Sequence, residues 1–313
     1  MELNSIIFPS PSNDRIIDLT KYQNELLFIP KNKNKEKEII LSKENKDILT
    51  ESDKYIPCMI HECRKNVHSN KYLIYFHGNA EDIFNSNYTV DLTRSVLPYN
   101  TISVEYPGYS VYSDPKSSKA IEQDSLVVYD FLVQSGIDEK DIIICGRSIG
   151  SGPSIYLCAN RTPGGLILIS PFKSIQEVVK SIIGIFNFLV QDRFNNIDLV
   201  EKITCPTLFI HGQKDEIVPF SDSIELSKKC KCPIEIILPE EMDHNEISIY
   251  DDFLEPVTSF LQRHFLLNVK DEKKKVFDKK YYEIPTELKN LDDFKKNHSQ
   301  DSFTKLVRRV FGV

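Results

Sequence analysis

The sequence contains no apolar run long enough to cross a lipid bilayer. A membrane-spanning helix needs about 20 consecutive, mostly apolar residues. The most apolar stretch, Ile182–Val190, is much shorter and is interrupted by Gly184 and Asn187. With 41% hydrophobic and 27% charged residues, the composition also excludes a mostly disordered chain. These features predict a soluble globular protein.

An excess of positive charge is also missing. The 39 Lys and Arg residues are outnumbered by 46 Asp and Glu residues, which gives a formal net charge of −7. Proteins that bind the phosphate backbone usually carry a basic patch or a basic net charge. We therefore expect no nucleic-acid partner.

The cysteines lack the features of a disulfide framework. Their number is seven, and none of them shows C-x-x-C spacing, which is typical of free thiols in a reducing compartment. The segment Met1–Asn4 has neither the basic nor the apolar region of a secretory signal, and Glu2 occupies the position that N-myristoylation reserves for glycine. The sequence therefore predicts a cytoplasmic protein.

Short β-branched apolar runs recur along the chain, and each ends at a turn signal. Such runs are typical of strands that are buried on both faces of a parallel sheet. Helical spacing of apolar residues predicts helices at Ser117–Gln134 and Ile247–Phe265. This alternation predicts an α/β fold with a mostly parallel, doubly wound sheet and ligands at the carboxyl ends of its strands. The predicted strands are Lys71–Phe76, Thr101–Val104, Asp141–Cys145, Leu166–Ile169, Thr207–Ile210 and Ile234–Leu238.

A G-x-S-x-G motif at residues 146–150 directly follows the predicted strand Asp141–Cys145. In a strand-to-helix turn of this type the serine hydroxyl is exposed above the sheet, and the two glycines avoid collisions with neighbouring elements. The chain has only 11 glycines, so a chance match at this place is uncommon. The motif predicts that Ser148 is a nucleophile, the alternative being an ordinary glycine-rich turn with a surface serine.

A serine hydroxyl needs a neighbouring base and an orienting acid before it becomes a good nucleophile. Asp215 and His244 follow Ser148 in the chain order Ser, Asp, His, and each lies just after a predicted strand. All three side chains should therefore lie at the same edge of the sheet. We predict Asp215 as the acid and His244 as the base, with Glu216 and Asp243 as alternatives for the acid.

Acyl transfer also needs N–H donors that point to the place where negative charge develops on the substrate oxygen. The turn His77-Gly78-Asn79 follows the first predicted strand. We predict that the backbone N–H groups of Asn79 and Ile149 form this oxyanion hole. His77 is expected to pin the loop rather than to take part in the chemistry.

Six segments of the chain are more distinctive than G-x-S-x-G alone. They are HGNAED (77–82), EYPGYS (105–110), GRSIGSGPS (146–154), SPF (170–172), HGQKDEIVP (211–219) and DHNEISIY (243–250). Together they resemble the α/β-hydrolase-domain-17 type of α/β-hydrolases over roughly Lys71 to Phe265. The resemblance implies Ser148 as nucleophile, Asp215 as acid and His244 as base. Members known in animals are acyl-protein thioesterases, which remove palmitate from cysteines of membrane-associated proteins.

The chain departs from that group in four places. Those depalmitoylases begin with a cysteine cluster that is itself palmitoylated, whereas the first cysteine here is Cys58. Arg147 stands where Gln is usual, Glu105 where Asp is usual and Ser110 where Gly is usual. These departures leave the predicted fold and triad unchanged, and they leave membrane anchoring and substrate identity open.

The domain organisation follows from the resemblance and from composition. We expect residues 1–70 to supply N-terminal strands with a Lys-rich loop at residues 31–47, as part of the hydrolase domain. Residues 71–268 should form the α/β-hydrolase core with a small apolar cap near 173–200, and residues 269–313 a C-terminal extension. In the cap, Ile182, Ile183 and Phe186 are candidates for an acyl pocket. The alternative is a helix that simply packs on the core.

Residues 302–313 combine an apolar stripe, formed by Phe303, Leu306, Val307, Val310 and Phe311, with three basic and no acidic residues. A basic amphipathic helix is typical of contact with a membrane surface or a partner groove. Docking on the chain's own surface, peripheral contact with the cytoplasmic face of a membrane, and a protein partner all remain open.

The sequence thus predicts a serine hydrolase that cleaves acyl esters or thioesters without metal or cofactor. The most specific form of this prediction is a protein S-palmitoyl thioesterase whose substrate is an acylated protein or a lipid ester. A carboxylesterase or monoacylglycerol-type lipase is the alternative among enzymes. A catalytically silent hydrolase fold used for binding is the alternative from another class.

Overall fold

A mostly parallel sheet forms the centre of the protein. The computed structural model describes residue 8 and residues 17–31, 55–64, 69–79, 81–178, 193–269 and 275–289. The strands in these residues are β1 (Leu26–Pro30), β2 (Tyr55–His61), β3 (Tyr72–Phe76), β4 (Asn100–Val104), β5 (Ile142–Arg147), β6 (Gly165–Ile169), β7 (Thr207–Ile210) and β8 (Ile234–Ile237). Their order in the sheet is β1-β2-β4-β3-β5-β6-β7-β8. β2 is antiparallel to both of its neighbours, and β3 to β8 are parallel to one another.

Helices cover both faces of this sheet. The described helices are α1 (Asn87–Val96), α2 (Ser118–Gln134), α3 (Ser151–Asn160), α4 (Asn196–Leu199), α5 (Ser221–Lys229), α6 (Glu255–Arg263) and α7 (Thr286–Lys289), with one π-helical turn at Ile249–Leu254. Val128 of α2, Ile155 of α3 and Leu226 of α5 belong to the core on one face. Val90 of α1 and Phe260 of α6 belong to the core on the other. The arrangement confirms the predicted α/β-hydrolase fold with its doubly wound sheet.

Burial on both faces explains why β3 is apolar at every position. In β3, Leu73 and Tyr75 join one core, whereas Ile74 and Phe76 join the other. Successive side chains of a strand point to opposite faces, so a strand that is covered on both sides is mostly apolar and does not alternate between apolar and polar residues.

The carboxyl ends of four neighbouring strands lie level with one another. Arg147 at the end of β5 pairs with Ile169 of β6, Ile169 pairs with Ile210 of β7, and Ile210 pairs with Ile237 of β8. The loops that follow these strands therefore leave the sheet along one edge. Residues far apart in the chain meet there.

Part of the C-terminal extension packs on the core. The Phe277 ring lies 6.0 Å from the Tyr72 ring and 5.2 Å from the Phe131 ring, measured between centroids.

Among the described residues, no helix combines the length and the apolar character that crossing a bilayer demands. The Lys-rich loop from residue 32 onward, the acyl-pocket candidates Ile182, Ile183 and Phe186, and residues 302–313 lie outside the described residues.

Ser110 occupies a backbone conformation that favours glycine. Its φ is +42°, and its hydroxyl oxygen is buried without a hydrogen-bond partner among the described residues. A side chain in the left-handed region costs about 1–2 kcal/mol. Glycine, which the resemblance leads us to expect at this position, adopts this conformation without that cost.

We expect Ser110→Gly to raise the free energy of unfolding by about 0.5–1 kcal/mol. The substitution removes the backbone strain and the buried hydroxyl that lacks a partner, and both changes stabilise the folded state. This gain should exceed the cost of the conformational entropy that a glycine adds to the unfolded chain. Urea unfolding followed by circular dichroism measures the change. Ser113→Gly, at an exposed residue without positive φ, is the matched control and should lower stability. A less stable Ser110→Gly variant would contradict the strain assignment.

Candidate active site

Ser148 lies on a sharp turn between β5 and α3, and its φ is +51°. The turn can be this tight because Gly146 and Gly150 have no side chains, which lets neighbouring backbone segments approach closely. A Cβ at Gly146 would overlap the Gly150 carbonyl, and a Cβ at Gly150 would overlap the carbonyl of Phe76. The sequence prediction of a strained strand-to-helix turn therefore describes the local backbone correctly.

The structure brings Ser148, His244 and Asp215 into one hydrogen-bonded row. Ser148 Oγ lies 3.0 Å from His244 Nε2, and His244 Nδ1 lies 2.7 Å from Asp215 Oδ2. An ionised carboxylate only accepts hydrogen bonds, so Nδ1 of His244 carries the hydrogen. In the neutral ring Nε2 is then the acceptor for the Ser148 hydroxyl. The row has the geometry for moving a proton from serine to histidine.

Asp215 is held as a carboxylate by several donors. Its Oδ1 accepts hydrogen bonds from the backbone N–H groups of Ile217 (3.0 Å) and Val218 (2.8 Å). Burial by itself would raise the pKa of Asp215, but the hydrogen bonds from His211, His244 and Val218 outweigh it. The pKa therefore lies below the ordinary value of 3.8.

His211 is a member of this network that the sequence analysis did not identify. It is fully buried, and its Nε2 lies 2.9 Å from the Val218 carbonyl oxygen and 3.2 Å from Asp215 Oδ2. Its Nδ1 lies 2.7 Å from the Ser223 hydroxyl, which connects the loop to α5. The available signal was its place at the end of an apolar strand, four residues before Asp215.

The alternative acids and the other described histidine near the C-terminus lie elsewhere. Glu216 is exposed. Asp243 uses Oδ1 to accept from the backbone N–H groups of Asn245 and Glu246, each at 2.7 Å. His264 lies at the end of α6, with its Nε2 3.4 Å from Glu235. The structure brings none of these three into contact with Ser148.

The loop of the predicted oxyanion hole is tied down by two tyrosines. The Tyr106 hydroxyl donates to the His77 carbonyl oxygen at 2.7 Å, and the Tyr109 hydroxyl donates to Asn79 Oδ1 at 2.8 Å. Ile149 directly follows Ser148 on the other side of the site. A Cβ at Gly150 would lie only 2.9 Å from the His77 carbonyl oxygen. This short distance shows that the loop and the serine turn are in contact.

A fully buried histidine and glutamate lie beneath this loop. His77 Nδ1 donates to the Gly78 carbonyl oxygen at 2.9 Å, and Nε2 lies 3.2 Å from Glu105 Oε1. Burial opposes protonation of His77, but the hydrogen bond to Glu105 and its negative charge raise the pKa of the imidazole overall. The Glu105 oxygens also accept from the backbone N–H groups of Tyr106 and Ile83. The pair links the ends of β3 and β4.

Comparisons with known proteins agree with the fold. The sequence profile of a family described as "Serine hydrolase (FSH1)" matches residues 116–245. Alpha/beta hydrolase domain-containing protein 17B of Homo sapiens is 33% identical over 214 residues, which cover 67% of this chain and 72% of the human protein. Alpha/beta hydrolase domain-containing protein 17C of Xenopus laevis is 31% identical over 216 residues, which cover 68% of this chain and 67% of the frog protein.

Solved structures show the same fold at low sequence identity. Est1E from Butyrivibrio proteoclasticus has a TM-score of 0.54 and 18% identity, covering 77% of this chain and 98% of that chain. The predicted resemblance is confirmed by the sequence relatives. The chain is an α/β hydrolase and belongs to the alpha/beta hydrolase domain-containing protein 17 family.

Proposed function

We propose that the chain is a serine hydrolase that cleaves acyl thioesters of proteins through Ser148, His244 and Asp215. The observation that carries the proposal is the row Ser148 Oγ–His244 Nε2–His244 Nδ1–Asp215 Oδ2, with distances of 3.0 and 2.7 Å. A nucleophile, a base and an orienting acid at these separations suit acyl transfer through a covalent intermediate.

In the first half of the reaction Ser148 Oγ attacks the acyl carbonyl carbon while His244 Nε2 takes the hydroxyl proton. The carbonyl oxygen becomes an oxyanion, which the backbone N–H groups of Ile149 and Asn79 stabilise. The carbon–sulfur bond then breaks, and the imidazolium returns its proton to the departing thiolate. The products of this half are a free thiol and an acyl ester on Ser148.

In the second half a water molecule replaces the leaving group. His244 removes a proton from the water as its oxygen attacks the acyl-enzyme carbonyl, and a second oxyanion forms in the same hole. Collapse of this intermediate breaks the ester bond, and His244 returns the proton to Ser148 Oγ. The acid product leaves, and the starting state is restored. Asp215 keeps the imidazole in one tautomer throughout.

The acyl-thioester specificity rests on the resemblance to the acyl-protein thioesterases described above. An acyl pocket built from Ile182, Ile183 and Phe186 is part of the proposal, since these side chains lie in the most apolar segment of the chain. A carboxylesterase or monoacylglycerol-type lipase would use the same nucleophile and base. Turnover of a palmitoyl-cysteine peptide against a matched serine oxyester and monoacylglycerol distinguishes them. Preferential cleavage of either ester would contradict the thioesterase assignment.

We expect a fluorophosphonate probe to label the wild-type protein and to leave Ser148→Ala unlabelled, because the reagent captures an activated serine. Ser148→Ala or His244→Ala should lower kcat by about 10⁴- to 10⁶-fold, and Asp215→Asn by about 10³- to 10⁴-fold. Glu216→Gln, at the exposed neighbour of Asp215, is the matched control and should retain activity. Equal labelling of wild type and Ser148→Ala would reject the proposed nucleophile.

Asp215 should also make stability depend on pH in the acid range. Because its pKa is lower in the folded protein than the ordinary 3.8, the folded state binds fewer protons, and its stabilising effect is lost as the pH falls below about 4. The difference in free energy of unfolding between wild type and Asp215→Asn should therefore shrink between pH 5 and pH 3. Urea titrations at each pH measure it. A difference that stays constant would contradict the assignment.

Residues 302–313 are proposed to hold the enzyme at the anionic cytoplasmic leaflet, where S-acylated proteins reside. Each basic residue near such a surface adds about 1 kcal/mol of attraction, and Lys305, Arg308 and Arg309 flank the apolar stripe. Deleting residues 302–313 should abolish salt-sensitive sedimentation with phosphatidylserine vesicles and leave the melting temperature unchanged. Replacing the three basic residues by Gln is the charge control. Absent vesicle binding with a lower melting temperature on truncation would indicate self-docking instead.

A further inference from the structure

Arg147, the residue directly before Ser148, joins three loops of the site through one guanidinium group. Its Nη1 contacts Glu81 Oε1, and its Nη2 donates to the His244 carbonyl oxygen at 2.8 Å. Side-chain exposure is 15% for Arg147 and 27% for Glu81, so both charged groups are partly withdrawn from water. Ion pairs with this degree of burial are screened less by solvent than fully exposed ones.

Glu81 passes this connection on to the oxyanion loop. Its Oε2 accepts a hydrogen bond from the Gly78 backbone N–H at 3.1 Å, while its own backbone N–H donates to the Gly78 carbonyl oxygen. The guanidinium also lies tightly over this turn, because a Cβ at Gly78 would come within 2.7 Å of Arg147 Nη1. The carboxylate thus bridges the guanidinium and the first peptide group of the loop that ends at Asn79.

We propose that Arg147 and Glu81 form a positioning clamp that sets the distances between nucleophile, base and oxyanion hole. The guanidinium of Arg147 is planar and carries several N–H donors in fixed directions, so it can donate to a carboxylate and to a carbonyl oxygen at the same time. The ammonium group of a lysine would not hold two acceptors with the same rigidity. Neither residue touches the reacting atoms. The clamp acts by holding the His244 loop and the Gly78 turn against the backbone of the Ser148 turn.

The clamp should influence catalytic turnover more than substrate binding. Loss of it would let the His244 loop and the oxyanion loop shift relative to Ser148. A misplacement of about 1 Å at reacting groups can lower the rate by about 100-fold. The acyl chain and the protein part of the substrate would bind elsewhere, so KM should change little. This inference rests on the proposed function.

The test compares Arg147→Met, Glu81→Gln, the double variant and a control, Arg161→Met. Arg161 forms a two-pronged ion pair with Asp130, both contacts at 2.8 Å, at the far end of α3 from Ser148. Steady-state hydrolysis of a p-nitrophenyl ester gives kcat and KM. The end point of fluorophosphonate labelling counts the molecules that have a reactive Ser148, and kcat is expressed per labelled site. All assays are run well below the melting temperature of each variant.

We expect Arg147→Met to lower kcat per competent site by about 10- to 100-fold with KM within about twofold of wild type. The double variant should be no worse than Arg147→Met, because both residues belong to one unit, and Arg161→Met should keep wild-type kcat. If Arg147→Met does not fold, Glu81→Gln alone should still lower kcat.

Three results would overturn the clamp. The first is a wild-type kcat per site in Arg147→Met or, if that variant does not fold, in Glu81→Gln. The second is a loss of kcat in Arg161→Met as large as that in Arg147→Met. The third is a loss of kcat in the double variant that equals the product of the two single losses. Failure of the proposed function is distinguishable, because it appears as absent labelling of the wild type or as labelling of Ser148→Ala. Labelling at Ser148 with unchanged kcat in Arg147→Met rejects the clamp alone.

Discussion

The site depends on the contact between two backbones, that of the turn after β5 and that of the end of β3. Gly150 lies so close to the carbonyl groups of Phe76 and His77 that no side chain fits between them. Ser148 lies in this turn with a positive φ, and its hydroxyl faces His244 Nε2. The contact between the two backbones is possible because β3 and β5 are neighbours in the sheet, although 65 residues separate the end of one from the start of the other.

Two His-Gly turns stabilise the two sides of the site by the same physical means. His77 after β3 and His211 after β7 are both fully buried, and each lies against a carboxylate, Glu105 in one case and Asp215 in the other. A buried carboxylate is tolerated only when donors surround it. Each pair therefore fixes the backbone of the loops that supply those donors. The two pairs differ in purpose, since only Asp215 also reaches His244.

The structure shows the contacts of Glu105, Ser110 and Arg147, the three residues at which the chain departs from the family pattern. Glu105 extends from the end of β4 to His77 and to the backbone N–H of Ile83. Ser110 keeps the left-handed conformation of the turn that carries Tyr109 to Asn79. Arg147 contacts Glu81 and the His244 loop. All three departures lie around the site rather than in the Ser148–His244–Asp215 row.

The sequence alone predicted six of the eight described strands, β3 to β8, and the helices α2 and α6. Strands and helices followed from local apolar periodicity, and the predicted runs differ from the observed strands by only one or two residues at their ends. Ser148, Asp215 and His244 were identifiable because each follows a strand in a recognisable turn. Only the tertiary structure revealed His211 beside Asp215, the tyrosines that hold the oxyanion loop, and the contact from Arg147 to Glu81 and His244. Those contacts join residues up to 97 positions apart, and side-chain geometry across separate loops leaves no periodic trace in a single sequence, whereas the burial of a strand or a helix does.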